Sequence, residues 1–123
     1  MPATTPEECD SLFEQLMNSG DIEAVVALYE PDGVLISAPG QVAQGTDAIR
    51  AALQGFVAMK PQFKLVVKNA VTSGDIAIVY NDWTGTMGAE GARVEIAGKA
   101  IEICRRQPDG TWRFVIDDPY ARD

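Results

Sequence analysis

The chain contains no histidine. Proton transfer near neutral pH therefore falls to carboxyl groups whose surroundings move their pKa. Three acids stand on strand-like segments of the C-terminal half: Asp82, Glu102 and Asp117. Strand alternation puts Tyr80, Asp82 and Thr84 on one face, Ala100, Glu102 and Cys104 on another, and Val115 with Asp117 on a third. Carboxyls gathered under apolar cover repel and desolvate one another, so that one stays protonated while a neighbour ionises. The neutral one can act as acid and the ionised one as base. Two other arrangements are open. A bulge would reverse the parity and send an acid to the surface, and Asp117 or Asp118 could pair with Arg113 or Arg122. The spacing of the acids matches no calcium loop, and neither a metal nor a cofactor is expected.

Cys9 and Cys104 are far apart and lack CxxC context. They read as reduced, buried thiols. The glycine-rich stretch Gly85–Gly91 has neither the lysine nor the following helix of a phosphate loop, and reads as a turn.

The elements that position these residues follow from periodicity. Thr5 and Glu8 form a capping box with Pro6 at the first helical position. Cys9, Leu12, Phe13, Leu16 and Met17 then make one helical stripe, stopped by Gly20. A second helix over Asp21–Tyr29 is capped by Asp21, carries Ile22, Val25, Val26 and Tyr29, and ends at Pro31. Val34–Ser37 is a short strand, and Gln41–Gln44 can pair back on it. A third helix is capped by Thr46, buries Ile49, Leu53, Phe56 and Val57, and closes at Pro61. From Phe63 the period becomes two. Phe63, Leu65, Val67, Asn69 and Val71 alternate, and strands over Ile76–Thr86, Arg93–Arg106 and Trp112–Asp118 follow, joined by short turns. Helices first and strands after indicate an α+β domain spanning 1–123, with three helices on a curved antiparallel meander.

Eighteen acidic against ten basic residues give a net charge of −8, which repels phosphate backbones and anionic lipid. Nucleic acid and membrane surfaces are excluded as partners on that ground. No apolar run approaches the ~20 residues of a membrane helix, and Met1–Glu8 has no signal-peptide pattern, so a cytoplasmic location is expected. Ile101, Ile103 and Ile116 stand opposite residues that are themselves apolar. The second sheet face therefore needs cover, and a homodimer through it is expected.

Four segments carry a family resemblance: Asn18-Ser19-Gly20-Asp21, Ala27 through Val34, Gly45 through Arg50, and Asp109 through Phe114. Through them the chain resembles the nuclear transport factor 2-like superfamily, whose fold is a cone-shaped, cystatin-like α+β domain. Its members include ketosteroid isomerases and polyketide cyclase-like proteins. The resemblance implies that all three acid-bearing strand faces point into the cone. The isomerases' oxyanion-donor tyrosine falls at Phe13, their base at Ser37 and their protonated aspartate at Glu102. Two of three positions are thus lost, which argues against steroid isomerisation. The polyketide cyclases' acid/base aspartate falls near Asp117, without their supporting histidines.

These readings nominate Asp117 and Glu102 as catalytic. Tyr80, Asp82, Phe13, Tyr29, Ser37, Phe56, Cys104 and Val115 form the expected substrate-binding set, with Gln41 near the mouth. The aromatics, Trp83 included, suit a core as well as a pocket wall. The expected function is a small-molecule pocket protein with acid/base activity of isomerase, cyclase or dehydratase type. The alternative is a non-catalytic ligand-binding or dimerisation module.

Overall fold

Helix α1 (Pro6–Ser19) begins where its cap is made: Thr5 accepts from the Glu8 amide through Oγ1 at 3.2 Å. The structure is a computed structural model and describes residues 2–122; Met1 and Asp123, the outer bounds of the expected domain, lie outside the described residues. Glu8 turns back to Thr4, accepting from its amide and hydroxyl at 2.7 Å, and not to Thr5. Gly20 ends the helix at φ 78°, donating to Leu16 O and Met17 O.

Helix α2 is shorter than expected. It runs Ile22–Val26, with the Asp21 side chain accepting from the Ala24 amide at 3.3 Å. Tyr29 is not its last residue; it opens strand β1 (Tyr29–Ala38). Pro31 sits within that strand, inside the register shift between Tyr29 and Val34. A bulge tolerates the missing N–H, so the proline did not have to mark a helix end. Strand β2 (Gln41–Gln44) pairs back on β1, as the sequence suggested. Helix α3 (Thr46–Val57) follows, capped by Gly45 at φ 88° with no side-chain cap, so Thr46 is its first residue and not its cap.

Strands β3 (Gln62–Ser73), β4 (Ile76–Met87), β5 (Val94–Arg106) and β6 (Trp112–Asp118) form the expected antiparallel meander. The six-stranded order is β2-β1-β6-β5-β4-β3. One pairing departs from the all-antiparallel expectation: β1 runs parallel to β6, with Leu35 opposite Asp117.

The helices lie over one face of the sheet, and the core forms between them. Phe114, Ile49, Leu53, Val25, Val79 and Met17 are fully enclosed there. Helix α1 is fastened to the edge strand β3 by polar bonds as well as by packing. Asn18 accepts from the Phe63 amide at 2.6 Å and donates to its carbonyl at 2.9 Å, as a neighbouring strand would. Glu14 accepts from the Leu65 amide at 2.6 Å.

Two bulges reset strand parity. One falls between Val67 and Asn69, so Phe63, Leu65 and Val67 face the helices, followed by Ala70 in place of Asn69 and Val71. The other falls in β6: Phe114 pairs with Cys104 and Ile116 with Ile103, which leaves Val115 as the extra residue. Phe114 and Asp117 therefore share the inner face, and Ile116 lies outside at 41% exposure.

The Asn18 clamp sets where α1, and everything it carries, sits over the sheet. Asn18→Ala should cost about 1–3 kcal/mol by stranding the two Phe63 backbone groups, read as a lower urea midpoint at unchanged slope; an unaltered midpoint would show that the clamp contributes nothing.

Candidate functional site

Between the helices and the inner sheet face lies a cavity of about 60 Å³. Its side walls are apolar: Phe13 and Met17 from α1, Leu53 and Phe56 from α3, Phe63 and Leu65 from β3. Two glycines make the sheet wall flat. A Cβ at Gly98 would lie 2.6 Å from the Trp83 indole, and one at Gly85 would lie 2.6 Å from the Phe63 ring. Trp83 donates from Nε1 to Pro119 O at 2.7 Å, and so holds Pro119 and Tyr120 against the rim.

The cavity's polar end is a chain of buried acids. Tyr29 donates from its hydroxyl to Asp117 Oδ2 at 2.6 Å. Glu102, opposite Asp117 in the β5–β6 register, stands between the Asp117 and Asp10 carboxyls, both of which act on its charge. Asp10, on α1, in turn accepts from Asn81 Nδ2 at 3.0 Å. Asp117, Glu102, Asp10 and Asn81 are each at most 3% exposed. No amide or hydroxyl donor reaches Asp10 Oδ1 or Glu102 Oε1 among the described residues. Two carboxyls in mutual contact are both acceptors when ionised, so a proton must lie between them.

Burial dominates the electrostatics. It pushes Asp117 up to about 7, helped by the charge of Asp10 and opposed by the Tyr29 hydrogen bond. It holds Glu102 well above the usual carboxylate range, with Asp10 and Asp117 adding to the effect. It raises Asp10 too, against the hydrogen bonds from Glu102 and Asn81. Tyr29 is pushed far up by the same burial and by the Asp117 charge, so it stays a donor. At neutral pH the chain thus pairs a neutral glutamic acid with an aspartate poised to gain or lose its proton.

The structure brings together some of the nominated residues. Asp117, Glu102, Phe13, Ser37 and Phe56 all line the cavity. Tyr29 does not line it, and reaches the site through its hydrogen bond to Asp117. Cys104 is buried beyond Glu102, where contact with Cys9 and then burial keep it a thiol. Val115, the bulge residue, is outside the lining, and Gln41 is exposed on β2.

Tyr80 and Asp82 must be reassigned. Both face the outer side of β4, since the inner set there is Ala77, Val79, Asn81 and Trp83. Asp82 accepts from Arg122 Nη2 at 2.8 Å, and the Arg122 guanidinium lies 5.8 Å from the Tyr80 ring centre. The sequence reading missed Asp10 and Asn81. The signal for Asp10 was its i, i+3, i+7 spacing with Phe13 and Met17. For Asn81 it was its parity with Val79 and Trp83. No group of three or more metal-ligating side chains has the geometry to hold an ion among the described residues.

The group that titrates near 7 sets a pH signature. Between its ordinary 3.8 and its folded value of about 7, the native protein keeps a proton that the unfolded chain has released. The stabilisation is present in acid and lost as pH rises through that window, and Glu102 and Asp10 act in the same sense. Tm should therefore rise from pH 8 to pH 5, and Asp117→Asn should raise Tm at pH 8 and flatten the slope; a Tm that falls on acidification over this range would contradict the arrangement.

Comparison with known proteins places this geometry in a family. A model of the SnoaL-like domain matches residues 10–115. Among solved structures, a ketosteroid isomerase-like protein from Erwinia carotovora atroseptica superposes with a TM-score of 0.78 at 27% identity, covering 91% of this chain and 89% of that one. A nuclear transport factor 2-like protein with a cystatin-like fold from Novosphingobium aromaticivorans gives 0.77 at 22%, covering 94% and 79%. A conserved protein from Planctomyces limnophilus gives 0.81 at 20%, covering 91% and 89%. Among curated proteins, none matches the chain. With the family model spanning all but the ends, and the cone of helices on a curved sheet beneath it, the chain belongs to the SnoaL-like domain family of the nuclear transport factor 2-like superfamily.

Proposed function

We propose that this protein is an acid/base enzyme acting on a small, largely apolar organic molecule, in a reaction of isomerase, cyclase or dehydratase type. The observation that carries the reading is Asp117: a carboxyl titrating near 7, at the end of an apolar cavity, between a tyrosine hydroxyl and a neutral glutamic acid. An ionised Asp117 takes a proton from carbon beside a carbonyl. Glu102, neutral, turns the proton it shares with its neighbouring carboxyls toward the carbonyl oxygen as that oxygen gains charge, and the protonated Asp117 returns the proton at the product carbon. Phe13, Ser37 and Phe56 bound the space for the substrate. Tyr29 acts through Asp117, as a positioning residue. The family contains such chemistries on the same frame, which supports the class of reaction and leaves the substrate to the pocket.

The second reading is a non-catalytic ligand-binding or dimerisation module, and the small size of the cavity favours its dimerisation form. At about 60 Å³ it is small beside the ~300–1,000 Å³ typical of ligand clefts. Exchange of α-hydrogens for deuterium in a panel of small ketones separates the two, since it reports carbon deprotonation without knowledge of the product. Asp117→Asn should slow exchange by ~10²–10⁴-fold. Equal exchange by that variant and the unaltered protein would remove Asp117 from the mechanism.

The assembly we propose is a homodimer through the outer sheet face. Val71, Ile78, Ile103, Ile116 and Val34 lie in register across five strands, forming one aliphatic row on the side away from the helices. Such a row gains most by meeting its own copy about a two-fold axis. The free thiols Cys9 and Cys104 suit a reducing compartment such as the cytoplasm. Sedimentation should give twice the chain mass, and Ile103→Lys should give the chain mass with the fold retained; a monomer in the unaltered protein at micromolar concentration would sink the assembly.

A further inference from the structure

At the polar end of the cavity lie buried acceptors that no donor among the described residues satisfies. Asn81 is fully buried, lines the cavity and sits at the centre of β4. Its Nδ2 donates to Asp10 Oδ2 at 3.0 Å. That bond orients the amide. With the shared proton on Glu102, Asp10 only accepts, so the nitrogen faces Asp10 and the oxygen faces away. Asn81 Oδ1 then has no donor in reach among the described residues, and neither has Glu102 Oε1, which lines the same cavity. Asn81 pairs with Ala100 across the β4–β5 ladder, two residues before Glu102 on the same inner face, so the two groups are near neighbours.

We infer that the cavity takes a molecule bearing a hydroxyl group, and that Asn81 is the residue that selects it by accepting the hydroxyl proton. The inference rests on the reading of the cavity as a ligand site and adds the class of ligand. A hydroxyl offers one donor and acceptor lone pairs. It can donate to Asn81 Oδ1 and keeps lone pairs for the proton that Glu102 otherwise shares with the neighbouring carboxyls. A ketone or ether offers lone pairs alone and would set oxygen against oxygen at Asn81. An ammonium donates but accepts nothing, so it offers no lone pair to that proton. The side walls, from Phe13 to Phe63, are apolar, and Ser37 and Tyr120 are hydroxyl-bearing residues elsewhere in the lining. The ligand is thus a small apolar skeleton with a hydroxyl at its buried end, beside the group that reacts at Asp117. Asp10 lies outside the cavity lining and contributes by holding the Asn81 amide in its orientation.

The test compares three probes of one size, cyclopentanol, cyclopentanone and cyclopentylamine, titrated by NMR against the full-length protein. Cyclopentanol should bind about tenfold more tightly than cyclopentanone, the scale of one satisfied buried acceptor. It should also move the Asn81 side-chain carbonyl resonance. In Asn81→Leu the preference should vanish. Because that change also removes a donor from Asp10, the comparison within the unaltered protein stands as evidence on its own if the variant does not fold. Equal binding of alcohol and ketone, tighter binding of the amine, no binding by any probe, or an alcohol preference that survives Asn81→Leu would each overturn the inference. In Asp117→Asn the preference should persist, so loss of the catalytic reading and loss of this one give different results.

Discussion

Taking a carboxyl group out of water is costly while it is charged, and this fold buries three of them in one place. Asp10, Glu102 and Asp117 come from a helix and two strands, and among the described residues none of them is in an ion pair with arginine or lysine. The arrangement persists because the acids share protons and hydrogen bonds among themselves, with Tyr29 at one end and Asn81 at the other. Each member depends on the next. Asp117 keeps a value near neutrality because burial and Asp10 push it up while Tyr29 pulls it down. Take away either end and the balance of protonation moves along the whole series.

Much of the architecture around that series serves to bring its members together. The parallel pairing of β1 with β6 places Leu35 beside Asp117 and Tyr29 beside Phe114, which aims the phenol at the acid. The register of β5 with β6 sets Glu102 opposite Asp117. The clamp of Asn18 and Glu14 onto β3 fixes the height of α1, and therefore of Asp10, above the sheet. A run of ring contacts, Phe114 to Phe13 to Phe63 to Trp83 to Tyr120, lines the way from the acids to the rim. Gly85 leaves room for the Phe63 ring and Gly98 for the Trp83 indole to lie against the strands.

The fold was legible in the sequence because its signals are local: Thr5, Gly20 and Asp21 announce helix ends, and the short turns announce the meander. The site was legible only in part, and the reason is parity. Glu102 sits on a strand that is regular around it, so alternation placed it correctly. Asp117 also points inward, but Phe114 shares its face in place of Val115, because a bulge intervenes. A bulge leaves no firm mark in composition. On β4 the error was one of choice. Tyr80 and Asp82 looked chemical, and the true inner set of Ala77, Val79, Asn81 and Trp83 looked like core. Arg122, remote in sequence, holds Asp82 outside by contacts no spacing rule foresees. Asp10 shows a helix burying an acid that a strand elsewhere neutralises, which is visible only in three dimensions.

The side-chain amide of Asn18 has one more consequence. By answering both backbone groups of Phe63, and with Glu14 answering Leu65, the first helix occupies hydrogen-bonding positions that a thirteenth-hour visitor strand would otherwise use. At the opposite rim, β2 offers only four residues. A strand adding at either stretch would have to displace side-chain bonds already made to Phe63 and Leu65, or rest on four residues alone.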